Sequence, residues 1–540
     1  MRFSKFLAAI LVMSTVTGCG FSNESAKEKE NKPMQMDQIN SALKQVKTVG
    51  KNNSTYEIFV GSFYDSNNDG IGDLKGIENK LDYIKDLGCN EIWLTPICPS
   101  SSYHKYDVED YKDIDPKFGT MSDFESLVKS CHKKGIKLIT DMVINHTSDK
   151  NEWFRQASRY YRELKKGAEP DYKACKYANY YNFSRERESG YNELGGSEWY
   201  YESQFSKSMP DLNLDNDDVK AEISDIVKFW LDKGCDGFRC DAVAYYYKGN
   251  PDKNKEFMSW FASTVKEIKP DAYLVGEAWT PIEEYSSYYG SGFDSYFDFA
   301  FAGQDGYITH AVRGSLSAKT LGESLKNADE KYKSNDPNYT NGSFISNHDI
   351  ARPAGYFAGE DGEKMLKLAS GINLLRTGNS FVYYGDEIGM KGSGDDQNKR
   401  FPMRWGDSKI TPENPDGYPD FSMKYPNLKK QEKDPKSIYN YYKNALKLRN
   451  SSKAIMEGDY EVDDKLSGKN ILALKKTYED DSVYIVINTS SKVKKVDLTK
   501  SSIVKGKKLK TYGFLQASKG EMKLESGKLE IPEFGIVVLK

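Results

Sequence analysis

The 540-residue chain predicts an α/β fold: a (β/α)8 TIM barrel with an inserted domain after the third strand and an all-β domain at its C-terminus. Three observations predict it. Strand-like runs alternate with amphipathic stretches, an aromatic-rich segment breaks the alternation after the third run, and the pattern turns to period two near the end. The strand-like runs are Glu57–Phe63, Glu91–Ile97, Ile136–Ile144, Gly237–Val243, Ala272–Glu277, a weaker Phe293–Ala300, Ser343–Ser346 and Phe381–Tyr384. Between them Leu74–Leu87, Met121–Lys134 and Val219–Lys233 place apolar residues at i, i+3 and i+4, the spacing of a helix with one buried face. Strand then helix, repeated, gives parallel strands, and eight of them suffice to close a barrel. A doubly wound open sheet is the competing arrangement of the same repeat.

Residues 147–217 follow the third run without a clean strand–helix unit, and Trp153 to Phe205 holds 14 aromatics in 53 residues, about twice the chain average of 13%. An insertion at this point lies on the face where barrel active sites form. After the helical stretch Ile438–Leu448, the segments Lys469–Lys476, Ser482–Asn488 and Gly535–Leu539 alternate apolar and polar residues. The barrel therefore takes 54–146 and 218–451, and 452–540 reads as a small β-sandwich domain.

The chain carries 77 Lys and Arg against 80 Asp and Glu, a formal net charge of -3, with both signs spread along its length. That leaves no basic footprint for nucleic acid and no polybasic tract for an anionic membrane surface. Aromatics at 13% are too many for a disordered chain. The first 19 residues stand apart: Arg2 and Lys5, an apolar run from Phe6 to Met13, then small residues up to Gly18-Cys19. These are the parts of an export signal, too short to span a bilayer. Val16-Thr17-Gly18-Cys19 resembles the bacterial lipobox, which implies a lipid anchor on Cys19 and a place at the outer side of the cell membrane. An ordinary secretory signal is the alternative. Residues 20–53 read as a flexible tether, polar and without period over 22–36. Cys19 accounts for the odd one of seven cysteines; the other six, at 89, 98, 131, 175, 235 and 240, form no CxxC pair and are expected as buried free thiols.

Barrel chemistry sits at the C-terminal ends of strands. Four runs end there in polar clusters: Asp141-Met-Val-Ile-Asn145-His146, Gly237-Phe-Arg239-Cys-Asp241, Gly276-Glu277-Ala-Trp279 and Ser346-Asn347-His348-Asp349. One carboxylate at a strand end is usually a cap or a solvated loop residue; four together are a site. Arg239 and Asp241 are two apart on one strand, so they share a face, and the guanidinium favours an ionised Asp241. Glu277 leaves an apolar segment, where desolvation raises a carboxyl pKa and keeps a proton available. One ionised and one protonated carboxyl is the equipment of a retaining glycosidase. A further loop, Asp65-Ser-Asn67-Asn-Asp69-Gly70-Ile71-Gly-Asp73, offers oxygens at alternate positions with a Gly for the turn, as Ca²⁺ requires, although the position-twelve Glu of an EF-hand is absent. An Asx-rich turn without metal is the alternative.

The ordered set DMVINH, GFRCDAV, GEAW and SNHD, with SYHKYDVEDY (102–111) and MPDLNLDN (209–216), resembles glycoside hydrolase family 13, the α-amylase family, from about residue 54 to the end. The resemblance implies a retaining hydrolase of α-glucans. Asp241 would be the nucleophile, Glu277 the general acid and base, and Asp349 the carboxylate that binds sugar hydroxyls at the cleaved ring. Arg239, His146 and His348 would hydrogen-bond there, Tyr106 would stack under the ring, Asp107 would support it, and Asp141 would act by positioning. The same resemblance implies a structural calcium on Asp65, Asn67, Asp69, the Ile71 carbonyl and Asp73. Tyr245-Tyr246-Tyr247 stand where the His of a second calcium site would fall. Exo-acting members typically carry an Asp three residues before the motif Tyr, where this chain has Tyr103, so the expectation is an endo-acting α-amylase. Neopullulanase, oligo-1,6-glucosidase and glucanotransferase activities are alternatives on the same fold. A non-catalytic maltodextrin-binding lipoprotein is the alternative of another class, disfavoured because all three carboxylates are kept. The insertion's aromatics are expected to form mainly a small core, with sugar platforms as the other role.

Overall fold

The computed structural model describes residues 35–540 apart from 416, 417 and 420–422, so Cys19 and the export signal lie outside the described residues. Eight parallel strands make one sheet: β1 (Ser54–Ile58), β2 (Glu91–Leu94), β3 (Lys137–Met142), β4 (Gly237–Cys240), β5 (Tyr273–Gly276), β6 (Ser295–Tyr296), β7 (Gly342–Ser343) and β8 (Asn379–Tyr383). Their order is β7-β8-β1-β2-β3-β4-β5-β6. A parallel bridge between Phe297 and Gly342 joins the two edges, which closes the barrel and excludes the open sheet. Trp93, Ile139, Tyr273, Val275, Phe297, Phe344 and Phe381 fill the interior as a cluster separate from the one under the helices.

Some boundaries differ from the sequence reading. β1 begins at Ser54 and gives way to a 3-10 turn at Val60–Ser62, so Glu57 lies near the C-terminal end of its strand. The helical stretch 74–87 is two helices, Leu74–Asn79 and Leu81–Leu87, separated at Lys80, whose backbone leaves the helical region (φ -108°, ψ 8°). The register of β4 depends on Gly237. It sits at φ 151°, and a Cβ there would come within 1.9 Å of the Tyr273 carbonyl oxygen.

Within the insertion, the helix Glu152–Glu163 packs beside three short antiparallel strands, Phe183–Ser184, Tyr191–Glu193 and Tyr200–Glu202. Its rings mostly pack on one another: Tyr161 on Phe183 (3.8 Å between centroids), Tyr161 on Trp199 (4.8 Å) and Phe154 on Tyr201 (4.9 Å). The C-terminal domain consists of a five-stranded and a three-stranded antiparallel sheet, with Thr511–Leu515 at one edge of the larger.

The expectation of a flexible segment up to residue 53 is corrected for its second half. Met36–Asn40 is a helix on the C-terminal domain, and Met36, Ile39 and Leu43 are buried. Asn40 exchanges two hydrogen bonds with the main chain of Phe514 (2.8 and 3.0 Å), and the helix packs on that edge strand. The spacing i, i+3, i+7 of those apolar residues carries a helical face that the charged composition upstream conceals. Cys89, Cys131, Cys235 and Cys240 are buried free thiols; Cys98 and Cys175 are free but only half-buried. No helix among the described residues is long and apolar enough to cross a membrane.

Candidate active site

The polar strand ends converge on one buried cation. Arg239, with a side chain 0% exposed, sets Nη1 2.7 Å from Asp141 Oδ1 and 2.7 Å from Asp241 Oδ1, and Nη2 3.0 Å from Glu277 Oε2. Asp141 faces Arg239 directly across the β3–β4 register. Burial works against the guanidinium's charge, but Asp141 and Glu277 outweigh it and hold the group charged. Asp241 stands one residue past β4. The next residue, Ala242, takes φ 51°, unusual for a side chain other than Gly, and its N–H donates to Glu277 Oε2 at 3.2 Å. That turn ends β4 and ties Asp241 to Glu277 through the backbone.

Burial pushes the Glu277 carboxyl up to about 7; Arg239 opposes the shift, and the Asp241 and Asp349 charges add to it. For the same first reason Asp141 is raised to about 6, with Arg239 again opposing. Asp349 goes the other way. Burial disfavours its charge, but His348 and then Arg400 override it and hold the carboxyl far below the usual range. His348 Nε2 lies 2.8 Å from Asp349 Oδ2, and Arg400 Nη2 lies 2.8 Å from Asp349 Oδ1. Tyr106 reaches in from the loop after β2. Its hydroxyl meets His348 Nε2 at 2.7 Å and donates to Asp141 at 3.1 Å, and its ring stacks on the His348 ring at 11°.

His146 is bonded through Nε2 to the Tyr106 carbonyl (3.1 Å), and burial lowers its pKa, so it is neutral near pH 7. Asp107 touches none of these groups. It accepts from the hydroxyls of Ser100 (2.6 Å) and Ser102 and so fixes the loop that presents Tyr106. Two groups escaped the sequence reading. Glu57 grips the far nitrogen of His348, and Trp93 donates to Asp141 at 3.2 Å from beneath. Arg400, from the irregular segment after β8, is also bonded to Asp349. At the mouth, Trp279 is 54% exposed and stacks on Phe299 at 10°, while Phe205 of the insertion projects beside His146.

The loop Asp65–Asp73 closes on itself. Asp65 accepts main-chain N–H from Asn67, Asn68 and Gly70 (3.2, 2.6 and 2.8 Å), and Asp69 accepts from Ile71 (2.9 Å). Asp73 caps the helix Leu74–Asn79 through Gly76 N–H (2.7 Å) and also accepts from Ser66. No three His, Cys, Asp or Glu among the described residues form a ready-made metal cluster. Everything the loop offers is nevertheless a hard oxygen, and its carboxylates keep lone pairs beyond these N–H bonds, so in kind the residues fit Ca²⁺.

Residues 57–458 match the family model described as alpha amylase, catalytic domain. Alpha-amylase 3 of Dictyoglomus thermophilum is 38% identical over 457 residues, 81% of this chain and 85% of that one. An oligo-1,6-glucosidase of Parageobacillus thermoglucosidasius is 31% identical over 541 residues, 84% of this chain and 92% of its own. Among solved structures, Eubacterium rectale Amy13B superimposes with a TM-score of 0.91 at 43% identity, covering 94% of this chain and 99% of that one.

Proposed function

The chain belongs to the α-amylase family, family 13 of the glycoside hydrolases, and from that premise we propose that it is a retaining, endo-acting hydrolase of α-1,4-glucosidic bonds in starch, maltodextrin and related glucans. The observation that carries the reading is one buried guanidinium bonded to both Asp241 and Glu277, the second of which burial pushes up to about 7. Asp241, bonded to Arg239, attacks the anomeric carbon while Glu277, holding its proton up to about pH 7, passes it to the departing glycosidic oxygen. The bond from Asp241 to the sugar is then opened by water that the ionised Glu277 deprotonates, which returns both carboxyls to their first state. Asp349, ionised and held from both sides, accepts from hydroxyls of the distorted ring. An α-glucan bears no charge to steer, and the exposed faces of Trp279 and Phe205 offer apolar surface to sugar rings instead.

The endo mode draws support from Tyr103, whose hydroxyl accepts from Arg400 at 3.0 Å where a chain-end carboxylate would otherwise stand. The likeness to an oligo-1,6-glucosidase makes α-1,6 cleavage the second reading. Product profiling on starch, pullulan and maltotriose separates the two. Starch is expected to lose iodine staining well before its reducing ends plateau, and the first products are expected to be α-anomers. Glucose released one unit at a time would overturn the endo mode, β-anomers would overturn retention, and activity confined to α-1,6 bonds would favour the second reading.

We also propose that Asp65, Asn67, Asp69, the Ile71 carbonyl and Asp73 hold a structural calcium ion. Excess EGTA is then expected to lower the unfolding midpoint, and Ca²⁺ at about 100 times its Kd to restore roughly 2.7 kcal/mol. A midpoint indifferent to both would remove the site.

A further inference from the structure

We propose that Glu57 is a positioning residue of this active site: its carboxylate fixes His348 as an imidazolium, and the imidazolium holds Asp349 in place for the sugar. The proposal rests on the reading of Asp349 as the sugar-binding carboxylate. Glu57 comes from β1, on the opposite side of His348 from the substrate opening, and its side chain is 1% exposed. Glu57 Oε1 lies 2.7 Å from His348 Nδ1 and also accepts the His348 main-chain N–H at 3.2 Å. The other ring nitrogen, Nε2, faces Asp349 Oδ2 at 2.8 Å and the Tyr106 hydroxyl at 2.7 Å.

A neutral imidazole has a single N–H. Placed on Nδ1 for Glu57, it leaves a bare lone pair on Nε2 pointed at the Asp349 carboxylate; placed on Nε2, it strands Glu57 against the lone pair of Nδ1. Only the doubly protonated ring donates to both carboxylates. Few other groups face it. The Trp93 ring meets it edge-on at 5.6 Å, and Arg400 Nε donates to the His348 carbonyl at 3.1 Å. Asp141 and Glu277 stand farther off, each interacting with the His348 charge. Burial disfavours the charged ring, but Asp349 and Glu57 outweigh it and hold the pKa near 9. Asp349 is the open end of the chain, its side chain 26% exposed while those of His348 and Glu57 are sealed.

The test reads the ring itself. The chain has five histidines, so NMR of the ¹⁵N-histidine-labelled protein resolves few signals, and His348→Gln identifies the one required. The parent is expected to titrate at His348 near pH 9. In Glu57→Gln, which keeps the shape and an acceptor but not the charge, the midpoint is expected to fall by at least about one unit. Its kcat/KM on soluble starch is expected to drop at least about twofold at pH 8, where half the rings or fewer stay charged, and to approach the parent's at pH 6, with a steeper alkaline limb. A purely structural role would leave the pH profile's shape unchanged. A parent midpoint below 7, or the same midpoint in Glu57→Gln, overturns the proposal. If Glu57→Gln does not fold, Glu57→Asp, which keeps the charge, is expected to keep the high midpoint, and a fall there overturns the proposal equally. A shifted midpoint in a protein inert toward every α-glucan would instead count against the substrate reading and leave the role of Glu57 standing.

Discussion

Replacing Asp241 by Asn is expected to cut kcat on soluble starch by on the order of 10⁴ or more, because an amide oxygen cannot form the ester that divides the reaction into two steps. The loss should be as large on an aryl glycoside with a good leaving group, since the attacking atom is missing whatever departs. Glu277→Gln should differ in pattern. Its loss on starch is expected at about 10² to 10⁴, the usual worth of a general acid, and should shrink on the aryl substrate, whose leaving group needs no proton. The parent carries a matching signature. A carboxyl with a pKa near 7 is protonated below that pH and ionised above it, so kcat/KM should fall about tenfold per unit above roughly pH 7. Glu277→Gln, with no proton to lose, should lack that limb. Turnover unchanged in Asp241→Asn, or an alkaline limb that still begins near pH 7 in Glu277→Gln, would reassign these roles.

Arg239→Met is expected to cost about 3–5 kcal/mol of folding stability as well as activity. The guanidinium is wholly buried and counters three carboxylates, of which Asp141 and Asp241 each sit 2.7 Å away. Without it their mutual repulsion and lost solvation stand uncompensated, and the cheapest relief is for them to take up protons. The variant should therefore regain part of its stability as pH falls through the carboxylate range, which denaturant titrations at pH 5 and pH 8 would measure. Equal destabilisation at both values would show that lost packing, rather than lost charge, is what the substitution removes.

How much of this is legible in the sequence depends on whether a residue sits in a periodic element. Arg239 and Asp241 read as partners because a strand repeats every two residues, and Glu277 reads as desolvated because Tyr273–Gly276 before it is apolar apart from a tyrosine hydroxyl. Glu57 escapes for the reason that makes it effective. β1 opens with Ser54 and Thr55, polar residues that disguise the strand's start, so the apolar run seems to begin at Glu57 and the carboxylate looks like a solvated entry residue. Arg400 follows β8 in a segment with no regular spacing, and nothing local ties it to Asp349 across 51 residues of sequence. Barrel closure is equally hidden. β6 and β7 are two residues each, too short for alternation to register, and their pairing appears only once Phe297 and Gly342 meet.

The helix Met36–Asn40, seated on the strand Thr511–Leu515, orders events in time as well as in space. Asn40 finds its partner 474 residues later, so this early-made element waits for nearly the whole chain to be synthesised before its two hydrogen bonds can form. Until then Met36, Ile39 and Leu43 lack that strand as a surface to bury against. Two parts of the chain far apart in sequence thus share the seat of this helix, the strand Thr511–Leu515 and the helix Ile438–Arg449, and a break that removes the strand would leave it only the second.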